Sequence, residues 1–312
     1  MVGNGNVAAD VARMLALTRD ELAQTDVADH ALEVLAESRI EEIVVLGRRG
    51  PAQAAFTNPE LLELGAMTDA DVVVDPRDVD MDTASRAWLE SEAASSTSRK
   101  NVEILTGYAG RQVEGKRRRI VLRFLVSPLE LLGEERVEGI RICRNELRDE
   151  GSGLRACTTD TTEELSCGIV FRSIGYRGTP VQGLPFDEGR GTVPHEAGRI
   201  LDEEGAPLHG DYVVGWIKRG PTGIIGTNKR DAQETVDELL EDLDAGRLNV
   251  PADPSREALE ELLAERAPDH VTYTGWEAID RAEKTAGQPH GRPRVKLTTT
   301  DELLDAARDR VR

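Results

Sequence analysis

Cysteine is scarce in this chain, and so are long apolar runs, aromatic side chains and positive charge. Its three cysteines, Cys143, Cys157 and Cys167, are too few and too widely spaced for a disulfide framework, a CxxC redox pair or a zinc site. A reducing cytoplasm is the expected setting, and a thiol-dependent pyridine nucleotide–disulfide oxidoreductase is excluded for want of its cysteine pair. No apolar stretch approaches the roughly 20 residues needed to cross a bilayer, and the first residues lack the basic and apolar regions of a signal peptide. The expectation is therefore no membrane insertion. With 58 acidic residues against 39 basic ones, the net charge of −19 repels nucleic acid. No GxSxG, HExxH or Ser/His/Asp pattern stands in the sequence, so no nucleophile or metal centre announces itself.

What is present begins at once. The stretch "MVGNGNVAADVARML" contains GxGxxA from Gly3 to Ala8. In that pattern the first glycine permits a tight turn, the second lets backbone approach a pyrophosphate, and the small third residue allows close helix packing. Val7, Val11, Met14 and Leu15 recur at helical spacing and predict a helix from Asn6, whose N-terminus offers N–H donors. Only Met1 and Val2 stand where a strand of about five or six residues should lead in. The next strand, Ile43 to Leu46, runs into "GRRG". Arg48 and Arg49 occupy the place where an NAD-binding protein carries an acidic residue, and two guanidinium forks suit the adenosine 2′-phosphate of NADP(H).

Further along, "PELLELGAM" and "DTASRAWLESEAASS" read as helices, "DVVVD" and "NVEILTGY" as buried strands, and the alternation predicts a doubly wound α/β domain. Between Arg119 and Leu147 the pattern turns β-rich, as an antiparallel pair or meander inserted before a last strand, "GIVFRSIGYRG". A second unit follows a crossover near Tyr176. It has a strand "DYVVGW", a loop with Gly220, Gly223 and Gly226, and a helix with Val236, Leu239, Leu240 and Leu243 on one face. Glycines at that spacing bring backbone N–H groups and a helix start beside one ligand. Trp216 either stacks on that ligand or fills core.

These segments, "GWIKRGPTGIIGTNKRDAQETV" together with "GNGNVAADVARML", "GRRGPAQAAFTNPELLELG", "SIGYRG" and "GQPHGRPRVKL", closely resemble the ferredoxin–NADP reductases of the adrenodoxin reductase type, especially the actinobacterial members. The resemblance runs from Met1 almost to Arg312. It implies a Rossmann-like NADP-binding domain over 1–176, its first strand truncated and a β-rich insertion near 119–147, followed by the C-terminal part of a Rossmann-like FAD-binding domain over 177–312. It also implies hydride transfer from NADPH to FAD and single-electron transfer to an iron–sulfur ferredoxin. Matched by motif, Asn4, Gly5, Asn6 and Val7 hold the NADP pyrophosphate and ribose, Arg48 and Arg49 the 2′-phosphate, and Glu60 the nicotinamide end. Gly223 touches both cofactors, Trp216, Ile224 and Ile225 contact FAD, and Asp10 and Glu63 stand near the nicotinamide as the catalytic candidates.

Members of that family begin with a flavin-binding half that has its own glycine fingerprint, which is not found here. The expectation is an N-terminally truncated reductase that holds FAD poorly. Its alternative is a non-catalytic NADP-binding or complementing fragment without stable FAD. For docking an acidic ferredoxin, "GKRRR" (Gly115 to Arg119) is one local basic patch; a solvated β-turn is its plainer reading.

Overall fold

The computed structural model describes residues 1–151, 153–221, 223 and 225–308. The chain divides into two units, Met1–Ile174 with Val271–Arg312, and Gly175–His270. The first opens with helices α1 (Asn6–Ala16), α2 (Arg19–Ala23) and α3 (Asp29–Ala36), then strand β1 (Glu42–Leu46), α4 (Asn58–Leu64), β2 (Ala70–Val74), α5 (Pro76–Val79), α6 (Thr83–Glu90), α7 (Ser96–Ala109) and β3 (Arg118–Arg123). Strands β1, β3 and β2 form a parallel sheet in that order, with Ile120 opposite both Ile43 and Val72, and Leu122 opposite both Val45 and Val74. One face, with Ile43, Val45, Val72, Val74, Ile120 and Leu122, is buried, and the other, with Val44, Val73 and Val121, is half-buried, which is why these strands read as nearly continuous apolar runs. Helices α1, α4 and α7 cover the sheet through Ala8, Ala12, Leu61, Leu64, Ile104 and Leu105. This unit is a Rossmann-like α/β fold.

Two local expectations fail here. Helix α1 turns Ala8, Ala9, Ala12 and Ala16 into the core, whereas Val7 is 45% exposed. Small residues let the helix lie close on the sheet, so the alanine face, not the stripe of larger apolar residues, is the seated one. "NVEILTGY" is not a strand but the body of α7. The Ser95 hydroxyl caps that helix by accepting from the Ser98 N–H (3.0 Å), and Asn101, Val102, Ile104, Leu105 and Tyr108 share its buried face.

Met1 and Val2 occupy the place of the expected leading strand. The Val2 N–H donates to the Phe171 carbonyl (2.8 Å) and Ser173 N–H to the Val2 carbonyl (2.7 Å), while on the other side Gly3 N–H donates to the Leu46 carbonyl (2.9 Å). Val2 thus bridges β1 and the 171–173 segment in parallel on both sides. "GIVFRSIGYRG" bridges to Val2 at Arg172, donates from the Gly178 N–H to the Gly191 carbonyl (3.1 Å), and forms no regular strand.

The expected insertion is displaced. Its first piece, β3, belongs to the parallel sheet. The antiparallel meander is β4 (Val126–Leu132), β5 (Gly139–Asp149) and β6 (Leu154–Ser166), ending well beyond Leu147.

In the second unit, β7 (His195–Glu196), β8 (Arg199–Leu201) and β9 (Pro207–Tyr212) make a small antiparallel sheet, followed by α8 (Trp216–Arg219), α9 (Ile225–Asp244) and α10 (Arg256–Arg266). Expected as one strand, "DYVVGW" is split: its first residues end β9 and Trp216 opens α8. Helix α9 reverses its expected orientation: Thr235 and Asp242 are buried while Val236, Leu240 and Leu243 are exposed. Charge seats it, since Arg199 on β8 donates to Asp242 (2.8 Å) and to Glu238, and the Tyr212 hydroxyl donates to Asp242 (2.5 Å).

The last stretch, with α11 (Tyr273–Gly287) and α12 (Thr300–Arg308), returns to the first unit rather than completing a 177–312 domain. Arg292 donates to the Val27 carbonyl (2.6 Å) and pairs with Asp29, and Lys296 pairs with Asp26 (3.3 Å), which fastens the tail to the loop before α3. Among the described residues, no helix is long and apolar enough to cross a membrane.

Candidate functional site

The glycine loop and the "GRRG" turn meet because they leave adjacent parallel strands at the same end, Gly3 being bonded to Leu46. In open α/β sheets that end is where ligands bind. Gly3 has φ +116, and a Cβ there would stand 2.0 Å from the Ser173 carbonyl oxygen, so only glycine fits. Beyond Gly5 the first turn of α1 carries no acidic residue, leaving the positive end of the helix dipole free for an anion.

Asn4 packs over Gly47, where a Cβ would meet Asn4 Nδ2 at 2.5 Å, and that Nδ2 is buried without an acceptor among the described residues. A buried donor without a protein partner is costly, and an anion or ribose oxygen beside the loop would satisfy it. Asn6 is already engaged: its Oδ1 accepts from the Thr57 N–H (2.8 Å), tying the start of α1 to the start of α4. Val7 faces outward from the same turn.

Arg48 and Arg49 reach solvent, and neither has a carboxylate partner among the described residues. Desolvation of its guanidinium and the adjacent Arg48 charge hold the Arg49 pKa below the ordinary arginine value. Two adjacent cations with no intervening anion have the charge and donor geometry that suit a dianion such as a phosphate monoester.

Three of the expected acids lie around α1 and α4. Glu60 has one carboxylate oxygen buried without a donor. Asp10 and Glu63, the catalytic candidates, are brought together by Arg13, which donates to Glu63 Oε2 (2.6 Å) and Asp10 Oδ1 (3.2 Å). Arg13 went unread in the sequence; its only signal was its spacing of three from Asp10 on one helix face.

In the second unit, Gly215 (φ +77) opens α8 and its N–H donates to Asp231 Oδ2 (2.6 Å). Lys218, 2% exposed at its side chain, pairs with Asp231 (3.2 Å) and Glu234 (2.5 Å), and Arg219 also pairs with Asp231 (3.2 Å). Burial pushes the Asp231 pKa up, but the Gly215 N–H, Lys218 and Arg219 outweigh it and hold the carboxyl below its usual value. Trp216 is 48% exposed and stacks on Tyr176 (centroids 6.0 Å apart, planes at 25°), so it is not a core filler. Gly223 is exposed with φ +96. Ile224 lies outside the described residues, as does the side chain of Ile225, whose backbone starts α9.

The "GKRRR" patch is consumed internally. Lys116 pairs with Glu114 (3.5 Å), Arg117 with Asp69 (2.8 Å) and Arg119 with Glu42 (2.5 Å), while Arg118 is buried against carbonyls. All three cysteines are free, and no cluster of His, Cys, Asp and Glu suited to a metal ion occurs among the described residues.

Fold and site together define a Rossmann-like α/β protein with a dinucleotide-type glycine loop backed by an arginine pair. Its close homologues are NADPH–ferredoxin reductases. NADPH-ferredoxin reductase FprA of Mycobacterium tuberculosis is 49% identical over 310 residues, 97% of this chain and 66% of that protein. The mitochondrial NADPH:adrenodoxin oxidoreductase of Arabidopsis thaliana is 38% identical over 321 residues, 98% of this chain and 65% of that protein. The structure of M. tuberculosis FprA in complex with NADPH superposes with a TM-score of 0.89 at 48% identity, covering 98% of this chain and 66% of that one. The chain thus spans just under two thirds of these relatives. No established family profile matches it.

Proposed function

We propose that this chain carries the NADP(H)-binding part and a flavin-contacting segment of an NADPH-dependent flavoprotein oxidoreductase, a ferredoxin–NADP(+) reductase. The observation that carries this reading is the unpaired Arg48–Arg49 turn beside the glycine loop at the carboxyl ends of adjacent parallel strands. In this reading the N-terminus of α1 and the Asn4 amide bind the pyrophosphate, Gly5 lets it approach, and Asn6 and Val7 shape the ribose side. Arg48 and Arg49 clamp the 2′-phosphate. Glu60 lies toward the nicotinamide, and Arg13 keeps Asp10 and Glu63 fixed near it. In the second unit the exposed face of Trp216 and the backbone of Gly223 and Ile225 receive FAD. When bound, FAD supplies the exchange between hydride transfer and single-electron transfer, and the protein supplies alignment and electrostatics. An iron–sulfur ferredoxin is the electron partner, as the names of the relatives support.

The test is to titrate the purified chain with NADPH and with NADH. NADPH is expected to bind at least about tenfold more tightly, the contribution of a charge-assisted phosphate clamp. Arg48→Ala with Arg49→Ala should erase the difference, and equal binding of both nucleotides by the unaltered chain would overturn the reading. Gel filtration with added FAD, followed by NADPH-driven ferredoxin reduction, examines the flavin half separately.

A further inference from the structure

The main chain of the arginine turn is held at every carbonyl. Val126 N–H donates to the Gly47 carbonyl (3.0 Å) and Leu125 N–H to the Arg49 carbonyl (3.1 Å). Between them the Arg48 carbonyl is reached by no backbone donor among the described residues; its partner is the side-chain amide of Asn145, whose Nδ2 donates at 2.8 Å and also reaches Ser127 Oγ at 2.8 Å. Asn145 sits on β5, far away in sequence, and is 2% exposed. The β5–β6 register shifts between Cys143 and Asn145, and a bulge of that kind re-aims side chains at a sheet edge. Leu125 is one of only two non-glycine residues with positive φ (+55) among those described, and its carbonyl accepts from the Asn145 N–H (2.7 Å). Strain of that sort persists only where the surroundings fix it.

The backbone of the turn is therefore rigid while its two guanidinium groups have no carboxylate partner among the described residues. Ordering two long cationic side chains on binding is costly, and a fixed main chain removes part of that cost beforehand. We propose that Asn145 is a positioning residue for nucleotide selectivity: through the Arg48 carbonyl it sets the main chain from which Arg48 and Arg49 grip the adenosine 2′-phosphate. The inference rests on the reading of Arg48 and Arg49 given above.

The test uses the intact chain with two probes, 2′,5′-ADP and 5′-AMP, whose affinity ratio isolates the 2′-phosphate. Asn145→Leu keeps the side-chain volume but removes the donor. It is expected to weaken 2′,5′-ADP roughly tenfold and to leave 5′-AMP unchanged. Equal weakening of both probes marks a merely structural role and overturns the proposal, as does an unchanged ratio while the double variant Arg48→Ala, Arg49→Ala abolishes it. If the double variant itself leaves the ratio unchanged, the arginine reading fails instead, and the proposal falls with it. Should Asn145→Leu not fold, hydrogen exchange on the unaltered chain decides. Exchange at the Leu125 and Asn145 amides is expected to slow on saturation with 2′,5′-ADP but not with 5′-AMP, and no such difference overturns the proposal.

Discussion

Asp231→Asn is the substitution that tests most directly how the second unit holds its glycine loop. The native carboxylate, 8% exposed at its side chain, serves the Gly215 N–H, Lys218 and Arg219 together. Asparagine keeps the shape and can still accept from Gly215, but it carries no charge. Lys218, with a side chain only 2% exposed, is left with one carboxylate, Glu234, whose own side chain is 54% exposed, and with the Thr235 hydroxyl (3.1 Å). A hydrogen bond to a charged group contributes about 1.5–3 kcal/mol, and two cations lose theirs while Glu234 compensates in part. The expected loss is about 2–4 kcal/mol in the unfolding free energy of this unit. Urea titration followed by Trp216 emission, with Trp88 and Trp276 replaced by phenylalanine, reads it where it occurs. The pH dependence gives an independent check. Because the folded Asp231 pKa lies below its ordinary 3.8, its stabilisation is present above that value and disappears as pH falls through the lower folded one. The asparagine variant should lack this acid limb. A loss below about 1 kcal/mol, or an acid limb identical in both proteins, refutes the clamp.

Other outcomes follow from the same contacts. Arg118→Met should cost about 3–5 kcal/mol by urea denaturation, because the buried guanidinium donates to the carbonyls of Leu17 (2.7 Å), Ile40 (3.1 Å) and Ser38 (3.4 Å), which methionine leaves unpaired. Arg13→Gln should change stability by less than about 1 kcal/mol, as both its ion pairs are exposed; on the proposed function, freeing Asp10 and Glu63 should also slow hydride transfer from NADPH to added FAD, and an unchanged single-turnover rate counts against that proposed role. Burial and the adjacent Asp242 raise the Tyr212 pKa from 10.0 to about 12. Stability should therefore decline as pH rises across that interval, and Tyr212→Phe should flatten the decline, as measured by thermal unfolding against pH.

Much of the parallel core was legible because strands buried on one face and half-buried on the other carry an apolar signal at most positions: Ile43 to Leu46 matches β1, and "DVVVD" (Asp71 to Asp75) matches β2 (Ala70–Val74) to within a residue at each end. "NVEILTGY" misled for the same reason, since a short β-branched and aromatic run carries no period of its own. Its helical nature lay in Ser95 ahead of it and in the spacing of Leu105 and Tyr108. Helix α9 was misread in the opposite way. Its apolar residues share a face, but the groups that seat it are Arg199 and Tyr212, distant in sequence, acting on Asp242 and Glu238. A one-dimensional pattern cannot show that a polar face will be buried when its partners come from another element. The site was clearest where backbone conformation dictated residue type, at Gly3, and least clear at Asn145 and Arg13, whose roles depend wholly on tertiary contact.

Two arginine runs in this chain differ in pairing rather than in composition, and the difference is what makes one of them the candidate ligand site. Arg117, Arg118 and Arg119 are spent on Asp69, on buried carbonyls and on Glu42, so their charge is cancelled or enclosed. Arg48 and Arg49 stand on a turn whose three carbonyls are all satisfied, yet their own ten guanidinium donors reach no carboxylate among the described residues. A protein with 58 acidic residues could readily neutralise two adjacent arginines. Leaving them unpaired on a rigid main chain sustains mutual repulsion, and that arrangement makes physical sense where an external anion completes it. The same logic accounts for the orphaned Nδ2 of Asn4 on the neighbouring loop. Unmet donors from two different strand ends lie side by side, Asn4 against Gly47 at the start of the arginine turn, and a nucleotide with phosphates on the 2′ and 5′ oxygens of one ribose is the kind of ligand that the proposed site would take.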